Sequence, residues 1–235
     1  MMPMLKTGAS RLAVVLCAMA VAGTLPAHAL EFSVSGNVLH MAGPIKSGDG
    51  VKFREFYQPL KGKIRIVDLN SSGGKLDPAD EIANVIRADG LTTVIDANRS
   101  ICASACTVLF ISGVKRHYVN ASAIQDGVGP WGRWGLAFHE GNNQLSMDAN
   151  HYSGAASALM IADYYSFGVG TAASLLTKAP PEKLYYVSPA TAQSLNIATS
   201  VSPPEGWSGR EVAVVAKSGS PRSGHGSAGT QPRRH

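Results

Sequence analysis

The sequence has few of the features that metal-binding and membrane proteins need. It contains only three cysteines in 235 residues. No Cys-x-x-Cys motif or His pair accompanies Cys102 and Cys106, which argues against a zinc site. No apolar run after Leu30 reaches the ~20 residues that cross a bilayer. At 45% hydrophobic and 16% charged, the composition is that of a globular protein, and no metal or other cofactor is expected.

A surplus of positive charge is also missing from the central part of the chain. The formal net charge of +5 comes from the two ends, where Lys6 and Arg11 precede the apolar leader and basic residues outnumber acids after Pro203. Between these ends, acidic and basic residues are equal in number. A nucleic-acid-binding face needs clustered Lys and Arg, so no nucleic-acid partner is expected.

The first 29 residues have the pattern of a cleavable secretory signal peptide. A basic region precedes an apolar stretch at 12–25, and Ala27-His28-Ala29 matches the Ala-x-Ala cleavage pattern. We therefore expect cleavage after Ala29 and a periplasmic or secreted protein that does not contact the membrane afterwards. A retained N-terminal anchor is the alternative.

Alternating strand and helix patterns after the leader predict one α/β domain over residues 30–199. Alternating or β-branched runs predict strands at 31–39, 63–69, 92–96, 116–119, 136–138 and 185–187. Helical spacing and caps predict helices at 48–60, 78–89, 105–112, 149–167, 171–178 and 189–195. This order favours a mostly parallel sheet with flanking helices. Residues 200–235 are rich in Ser, Gly, Pro and Arg, which predicts a disordered tail.

Three short motifs in this order together predict a nucleophilic site. A Ser-Ser-Gly-Gly turn with Gly73 and Gly74 follows a predicted strand. Ser104 then opens an apolar helix, beside backbone N–H groups that have no acceptor within the helix. His139 ends a later apolar strand and has a pKa suited to accepting the serine proton. We predict Ser104 as nucleophile, His139 as base, and an oxyanion hole from Gly73 or Gly74 and Ala105.

Each of these residues also has an ordinary structural alternative. Ser104 is a good helix N-cap, and a glycine pair often does no more than end a strand. His117, inside a predicted strand, and His151, in a helical stretch, compete with His139 as the base. The place of His139 in the order of motifs favours it over both.

The motifs resemble those of the ClpP/crotonase superfamily, and most closely the ClpP-type serine peptidases and their exported ClpP-like relatives. The resemblance covers residues 64–197. In ClpP-type peptidases a strand ends in a Ser-Pro-Gly-Gly-like turn, matched here with Ser72 in place of proline. Their nucleophile lies in an Ala-Ser-Met-Gly-like helix start, matched by Ala103-Ser104-Ala105-Cys106. A basic pair after a glycine, Lys115-Arg116 after Gly113, also matches the family.

The resemblance implies a ClpP/crotonase-like fold and hydrolysis of a peptide or protein substrate, bound as an added strand beside the Gly-Gly turn. It also makes a homo-oligomer a candidate assembly. The family's third triad member, an aspartate, is nearest in register to Glu182, with Asp163 the weaker candidate and a Ser-His dyad the alternative. The Ser104–His139 separation of 35 residues is longer than usual in the family, and we expect the excess at 127–134 to form an inserted loop at the cleft.

Cys102 and Cys106 flank Ser104, which is not a ClpP feature. In an oxidising compartment a close pair forms a disulfide if the Cα atoms lie within ~7 Å. We expect such a bond to hold the nucleophile turn rigid. The alternative is two small buried thiols that pack the helix start.

Other functions compete with peptide hydrolysis. A catalytically inactive ClpP-like module would bind peptides or assemble with itself or a partner, and the missing aspartate favours it. A crotonase-type enzyme would use the same oxyanion hole for an acyl-CoA thioester, although export separates it from cytoplasmic coenzyme A. A Ser-Lys dyad would need a lysine near Ser104, for which Lys75 and Lys115 are the candidates.

Overall fold

The computed structural model describes residues 29–143 and 151–209. The predicted signal peptide up to residue 28 and the predicted tail beyond residue 209 lie outside this range. The described strands are β1 (Glu31–Ser35), β2 (Val38–Ala42), β3 (Ile66–Asn70), β4 (Thr92–Asp96), β5 (Ile101–Ala103), β6 (Lys115–Val119), β7 (Gly127–Gly129), β8 (Gly135–Phe138), β9 (Asn142–Asn143), β10 (His151–Tyr152) and β11 (Leu184–Tyr186).

The described helices are α1 (Asp49–Tyr57), α2 (Leu76–Ala88), α3 (Ala105–Ser112), α4 (Gly154–Ser166), α5 (Ala173–Leu176) and α6 (Pro189–Ser194). Single 3₁₀ turns follow α1 and precede α5. None of the helices in this part of the chain is long and apolar enough to cross a bilayer.

A five-stranded sheet, in the order β1-β2-β3-β4-β6, forms the centre of the fold. The β1–β2 pair is antiparallel and the other pairs are parallel. Val67, Leu69 and Ile95 contribute to the main core beneath the helices, whereas the alternate strand positions face the other way. The predicted α/β architecture with a largely parallel sheet and flanking helices is confirmed.

A second sheet, in the order β5-β8-β11-β7, continues from the end of β3. Ser71 bridges Cys102: the Ser71 N–H donates to the Ile101 carbonyl at 2.7 Å, and the Ala103 N–H donates to the Ser71 carbonyl at 3.2 Å. The chain leaving β3 therefore runs beside β5. This junction brings the Gly-Gly turn and the serine together.

Helix α3 is buried at every position from Ala105 to Ser112. A helix that is apolar on all sides belongs inside a domain, and α3 packs between α2 and α4. Its first turn is tied to α4 by a 2.5 Å hydrogen bond between the Thr107 and Tyr164 hydroxyls. The start of α3 therefore has a fixed position beneath the site.

The chain beyond residue 199 is more ordered than its composition predicts. Ser200 accepts a hydrogen bond from the Tyr118 N–H at 2.9 Å, and Trp207 is only 9% exposed. The indole lies against one valine or isoleucine from each of four strands, Val38, Ile66, Val94 and Val119. The folded unit thus includes at least residues 200–207, because one buried aromatic outweighs a polar composition.

Two other predicted elements differ from the structure. The single strand predicted at 31–39 is a hairpin, because Gly36 takes a left-handed conformation (φ 60) that reverses the chain. The helix predicted from residue 149 begins at Gly154, where the Ser153 side chain caps it by accepting the Ala156 N–H at 3.2 Å.

Candidate active site

Ser104 occupies a sharp turn between β5 and α3, with φ 54 and ψ −130. Such a conformation costs a residue with a side chain about 1–3 kcal/mol and persists only where the surroundings impose it. The Ser104 carbonyl accepts the Thr107 N–H at 2.8 Å and the Thr107 hydroxyl at 2.6 Å. The Ser104 hydroxyl makes no capping hydrogen bond, so the side chain is not used as an N-cap.

A disulfide joins Cys102 and Cys106, whose Cα atoms lie 5.2 Å apart, and closes a loop around Ser104. Both cysteines are fully buried. The disulfide links strand β5, before the serine, to the first turn of α3 after it. This link restricts how far the backbone at Ser104 can relax.

The Gly-Gly turn packs directly against the serine. A methyl group added to Gly73 (φ 90) would lie 2.6 Å from the Ser104 Cβ and 2.9 Å from the Ala105 nitrogen. A methyl group on Gly74 (φ 143) would collide with the Ile45 carbonyl oxygen. Both positions therefore need glycine for their conformation and for the close approach of backbone. The structure brings together Gly73, Ser104 and Ala105 as the sequence predicts.

The backbone N–H groups around the serine differ in their partners. Ala105 begins α3, so its N–H has no acceptor within the helix. The Gly73 N–H donates to the Ser71 hydroxyl at 3.1 Å. A parallel bridge joins Ile45 to Gly74, which leaves the Gly74 N–H and C=O on the edge that faces away from Ile45. Gly74 and Ala105 are thus the better oxyanion donors in this state.

Ser104 opens onto a cavity of about 640 Å³ that Gly73, Gly74, Lys75, Trp131 and Asn142 also line. A second cavity of about 290 Å³ shares Gly74, Lys75 and Asn142 with the first and extends along α4. The two form a groove that passes the outer edge of Gly74. The groove thus exposes that backbone edge, where an extended chain would add as a strand.

His139 lies next to the serine turn but is not hydrogen-bonded to it. It follows β8, which pairs in parallel with β5 so that Ala103 is opposite Ala137. His139 is 1% exposed, and both of its ring nitrogens are buried without a hydrogen-bond partner. Burial lowers the pKa of His139, and the nearby Glu140 backbone, which is too poorly aligned for a hydrogen bond with the ring, opposes that shift by a smaller amount. The imidazole is therefore neutral at pH 7, the form that accepts a proton.

Trp131 packs edge-on against His139, with ring centroids 5.1 Å apart. It belongs to the loop predicted as an insertion at 127–134, which lies at the cleft as expected. The Tyr186 hydroxyl donates to the Pro130 carbonyl at 2.8 Å, and the Arg133 guanidinium lies over the Tyr186 ring at 4.7 Å. Trp131 therefore contacts His139 while also lining the serine cavity.

The candidate third members of a triad do not reach His139. Glu182 is exposed and lines a different cavity, of about 390 Å³, with Val128 and the loop that carries Trp131. Asp163 lies on α4, where burial and then the neighbouring carboxylate of Asp80 raise its pKa to about 6. Within the described chain, neither carboxylate is hydrogen-bonded to the imidazole.

The other candidate bases have distinct positions. His117 donates through Nδ1 to the Ser202 carbonyl at 2.6 Å, and nothing is described for the His151 side chain. Lys115 begins β6 and pairs with Thr92 at the start of β4, whereas the site lies where β3 and β5 end. Lys75 is exposed and lines the serine cavity. The described residues contain no group of three or more His, Cys, Asp or Glu that could hold a metal ion.

Sequence reasoning missed two residues that shape this site. Ile45 holds the Gly-Gly turn by donating its N–H to the Gly73 carbonyl at 2.8 Å and accepting the Lys75 N–H at 3.0 Å. Trp131 was located only as part of a loop. Both act through contacts between distant parts of the chain, for which spacing along the sequence gives no signal.

No family model and no curated protein matches the chain, but solved structures do. A serine-to-alanine mutant of a 1510-N membrane-bound stomatin-specific protease matches with TM-score 0.51 and 14% identity, covering 72% of this chain and 81% of that one. A lysine-to-alanine mutant of that protease, in complex with a substrate peptide, matches with TM-score 0.50 and 16% identity, covering 72% of this chain and 77% of that one. A ClpP1 mutant from Listeria monocytogenes matches with TM-score 0.50 and 13% identity, covering 72% of this chain and 92% of that one. Similarity at this level of identity describes the fold alone.

Proposed function

We propose that this chain, which has the ClpP/crotonase-like fold, is an exported serine peptidase that hydrolyses peptide bonds. Ser104 is the nucleophile, His139 the base, and backbone N–H groups of Ala105 and the Gly73-Gly74 turn form the oxyanion hole. One observation carries the proposal: Gly73 lies so close to Ser104 that a methyl group added to Gly73 would be 2.6 Å from the Ser104 Cβ. It supports an oxyanion donor set built directly against a strained serine.

In the proposed reaction, neutral His139 takes the Ser104 hydroxyl proton as the oxygen attacks the peptide carbonyl carbon. The carbonyl oxygen becomes an oxyanion, and each well-placed N–H donor lowers the barrier by ~3–4 kcal/mol. When the tetrahedral intermediate collapses, the C–N bond breaks and His139 returns its proton to the leaving amine. Water then hydrolyses the Ser104 ester by the same steps, with His139 again acting as base.

The substrate in this proposal is an extended peptide that adds a strand along the outer edge of Gly74. The groove past Lys75 and Asn142 supports this choice, since it continues from the serine cavity along α4. The stomatin-specific protease in the comparison holds a substrate peptide, which is the analogy for a peptide here. Assembly into a homo-oligomer also belongs to the proposal.

A catalytically inactive peptide-binding or assembly module is the second candidate. One observation favours it: among the described residues, both His139 nitrogens lack a hydrogen-bond partner, Ser104 and acidic side chains included. In a working triad the base is held by both neighbours.

The experiment that separates these functions is covalent labelling of the mature protein, Leu30–His235, with a fluorophosphonate probe. We expect one probe on the wild type, read as intact mass, and none on Ser104→Ala or His139→Ala. Lys75→Ala is the control for a lysine base, and its labelling should match the wild type. A folded wild type that stays unlabelled, together with an unlabelled Trp131→Ala variant, would favour the inactive module.

A further inference from the structure

Trp131 stands between the serine cavity and the histidine. It lines the cavity that contains Ser104, and its ring meets the His139 ring at 67° with centroids 5.1 Å apart. His139 itself is 1% exposed. An imidazole beneath this indole does not meet a substrate that enters the cavity.

The arrangement leaves His139 with unmet hydrogen-bonding capacity. Both ring nitrogens are buried without a partner, whereas buried polar side-chain atoms in folded proteins nearly always have one. The strands β5 and β8 pair in parallel up to Ala103 and Ala137, so Ser104 and His139 follow the same ends of neighbouring strands. Displacement of the indole would open the space between the imidazole and the serine cavity.

The loop that carries Trp131 is held by hydrogen bonds on both sides of the tryptophan. The Tyr186 hydroxyl donates to the carbonyls of Pro130 at 2.8 Å and Arg133 at 3.3 Å. Gly132, directly after the tryptophan, takes a left-handed conformation (φ 88), and the Trp131 side chain is 38% exposed. Because both anchors are backbone carbonyls, a change of the Trp131 side-chain rotamer would leave them in place.

Space for the displaced indole exists beside the loop. The cavity of about 390 Å³ lined by Val128, Pro130 and Glu182 also includes Trp131 in its wall. Trp131 thus separates two cavities, one over the nucleophile and one outside the site. Movement from the first to the second would uncover His139 without unfolding any strand.

We propose that Trp131 is a cover that keeps His139 away from Ser104 until an extended peptide fills the groove. The inference rests on the proposed function and adds its regulation: the free protein is latent, and the peptide itself opens the site. A chain paired with the outer edge of Gly74 would place a side chain against Trp131, because both residues line the same cavity.

The first test is the direction in which a variant changes the rate of fluorophosphonate labelling at Ser104. Trp131→Ala should label faster than the wild type, by roughly tenfold if the covered state is favoured about ten to one. Trp134→Ala is the matched control, since Trp134 lies in the same loop and is 52% exposed. If the wild type labels, an unchanged or slower rate in Trp131→Ala would overturn the cover.

The second test does not depend on Ser104 being active. In a Ser104→Ala background, we expect diethyl pyrocarbonate to modify His139 slowly with Trp131 present, and much faster in Trp131→Ala. Trp131→Phe should restore protection. Equal rates of His139 modification in all three proteins would contradict the proposed role of Trp131 as a cover. If His139 responds as expected but no variant labels at Ser104, then the cover stands and the peptidase proposal fails.

Discussion

At the scale of single residues, the site depends on backbone geometry that few side chains permit. Ser104 takes φ 54 and ψ −130, and Gly73, with φ 90, lies so close that no side chain fits between them. These residues were predictable because glycine pairs and a serine between alanines are local signals. The covering of His139 by Trp131 was not, because it depends on where an inserted loop packs.

Replacing Gly73 with alanine should abolish labelling of Ser104 while leaving a folded domain. The new methyl would push against the Ser104 Cβ and the Ala105 nitrogen, which displaces the nucleophile from its donors. We expect at least a ~100-fold loss of labelling rate and a decrease of about 1–3 kcal/mol in the free energy of unfolding in urea.

Gly36→Ala is the control for this substitution. Gly36 also has a left-handed conformation (φ 60), but an added methyl group meets nothing within 4 Å. It should lose stability through backbone strain alone and keep its labelling rate. Equal labelling by Gly73→Ala and wild type would contradict the assigned role of the turn.

The pH dependence of labelling should reflect the burial of His139. Burial lowers its pKa below the ordinary 6.5, so the imidazole stays neutral, and able to accept a proton, as the pH falls through 6.5. We expect a labelling rate that falls to half its maximum only below pH 6.5. A half-maximal rate at or above pH 6.5 would show that the base is not a buried imidazole.

The lowered pKa of His139 also makes the free energy of unfolding depend on pH. The unfolded chain takes up a proton at His139 at higher pH than the folded one, so the contribution of this group is complete above pH 6.5 and is lost as the pH falls. Urea unfolding of wild type and His139→Gln, compared between pH 7 and 5, should show the loss in the wild type only.

At the scale of elements, each predicted helix and strand has a counterpart in the structure, but the short strands β5, β7, β9 and β10 were not predicted. β4 and α3 have the bounds that their apolar patterns predict, because each is short, continuous and ended by a clear break. The sequence could not show that β3 continues into a bridge with β5 at Ser71 and Cys102. This pairing joins segments 31 residues apart, and no periodicity records it.

The disulfide at the start of α3 should stabilise the nucleophile turn. Replacing Cys102 and Cys106 together with alanine, which adds no polar group to a buried site, should lower the free energy of unfolding by about 2 kcal/mol, as expected for a short closed loop. We also expect a ~10-fold slower labelling of Ser104, since its strained turn can relax. Labelling at the wild-type rate would show that the disulfide only stabilises the fold.

At the scale of the whole molecule, the chain is a helix-covered sheet joined to a smaller sheet, with the site at their junction. The family resemblance in the motifs correctly predicted the ClpP/crotonase-like fold, since the serine and Gly-Gly motifs belong to that junction. It did not predict the packing of residues 200–207, because their composition is mostly polar although Trp207 is buried. Export and cleavage after Ala29 stay predictions, which N-terminal sequencing of the secreted protein would check.

Trp207 should contribute to global stability although it lies in a segment of low hydrophobicity. It packs on four strands of the sheet, and the Arg99 guanidinium lies 5.9 Å from its ring centroid. Trp207→Ala should lower the free energy of unfolding by about 3 kcal/mol. The exposed Trp134→Ala serves as control, with a change within about 0.5 kcal/mol. Equal stability of the two variants would show that residues 200–207 do not belong to the cooperative unit.

Cleavage of an unfolded protein substrate is the decisive test of peptide hydrolysis at Ser104. Mature wild type, Ser104→Ala and Trp131→Ala would each be incubated with reduced, carboxymethylated protein, and new peptide termini would be identified by mass spectrometry. We expect new termini with the wild type, the same termini in greater yield with Trp131→Ala, and none with Ser104→Ala. Termini that persist in Ser104→Ala, or that are absent from all three reactions, would contradict peptide hydrolysis at this serine.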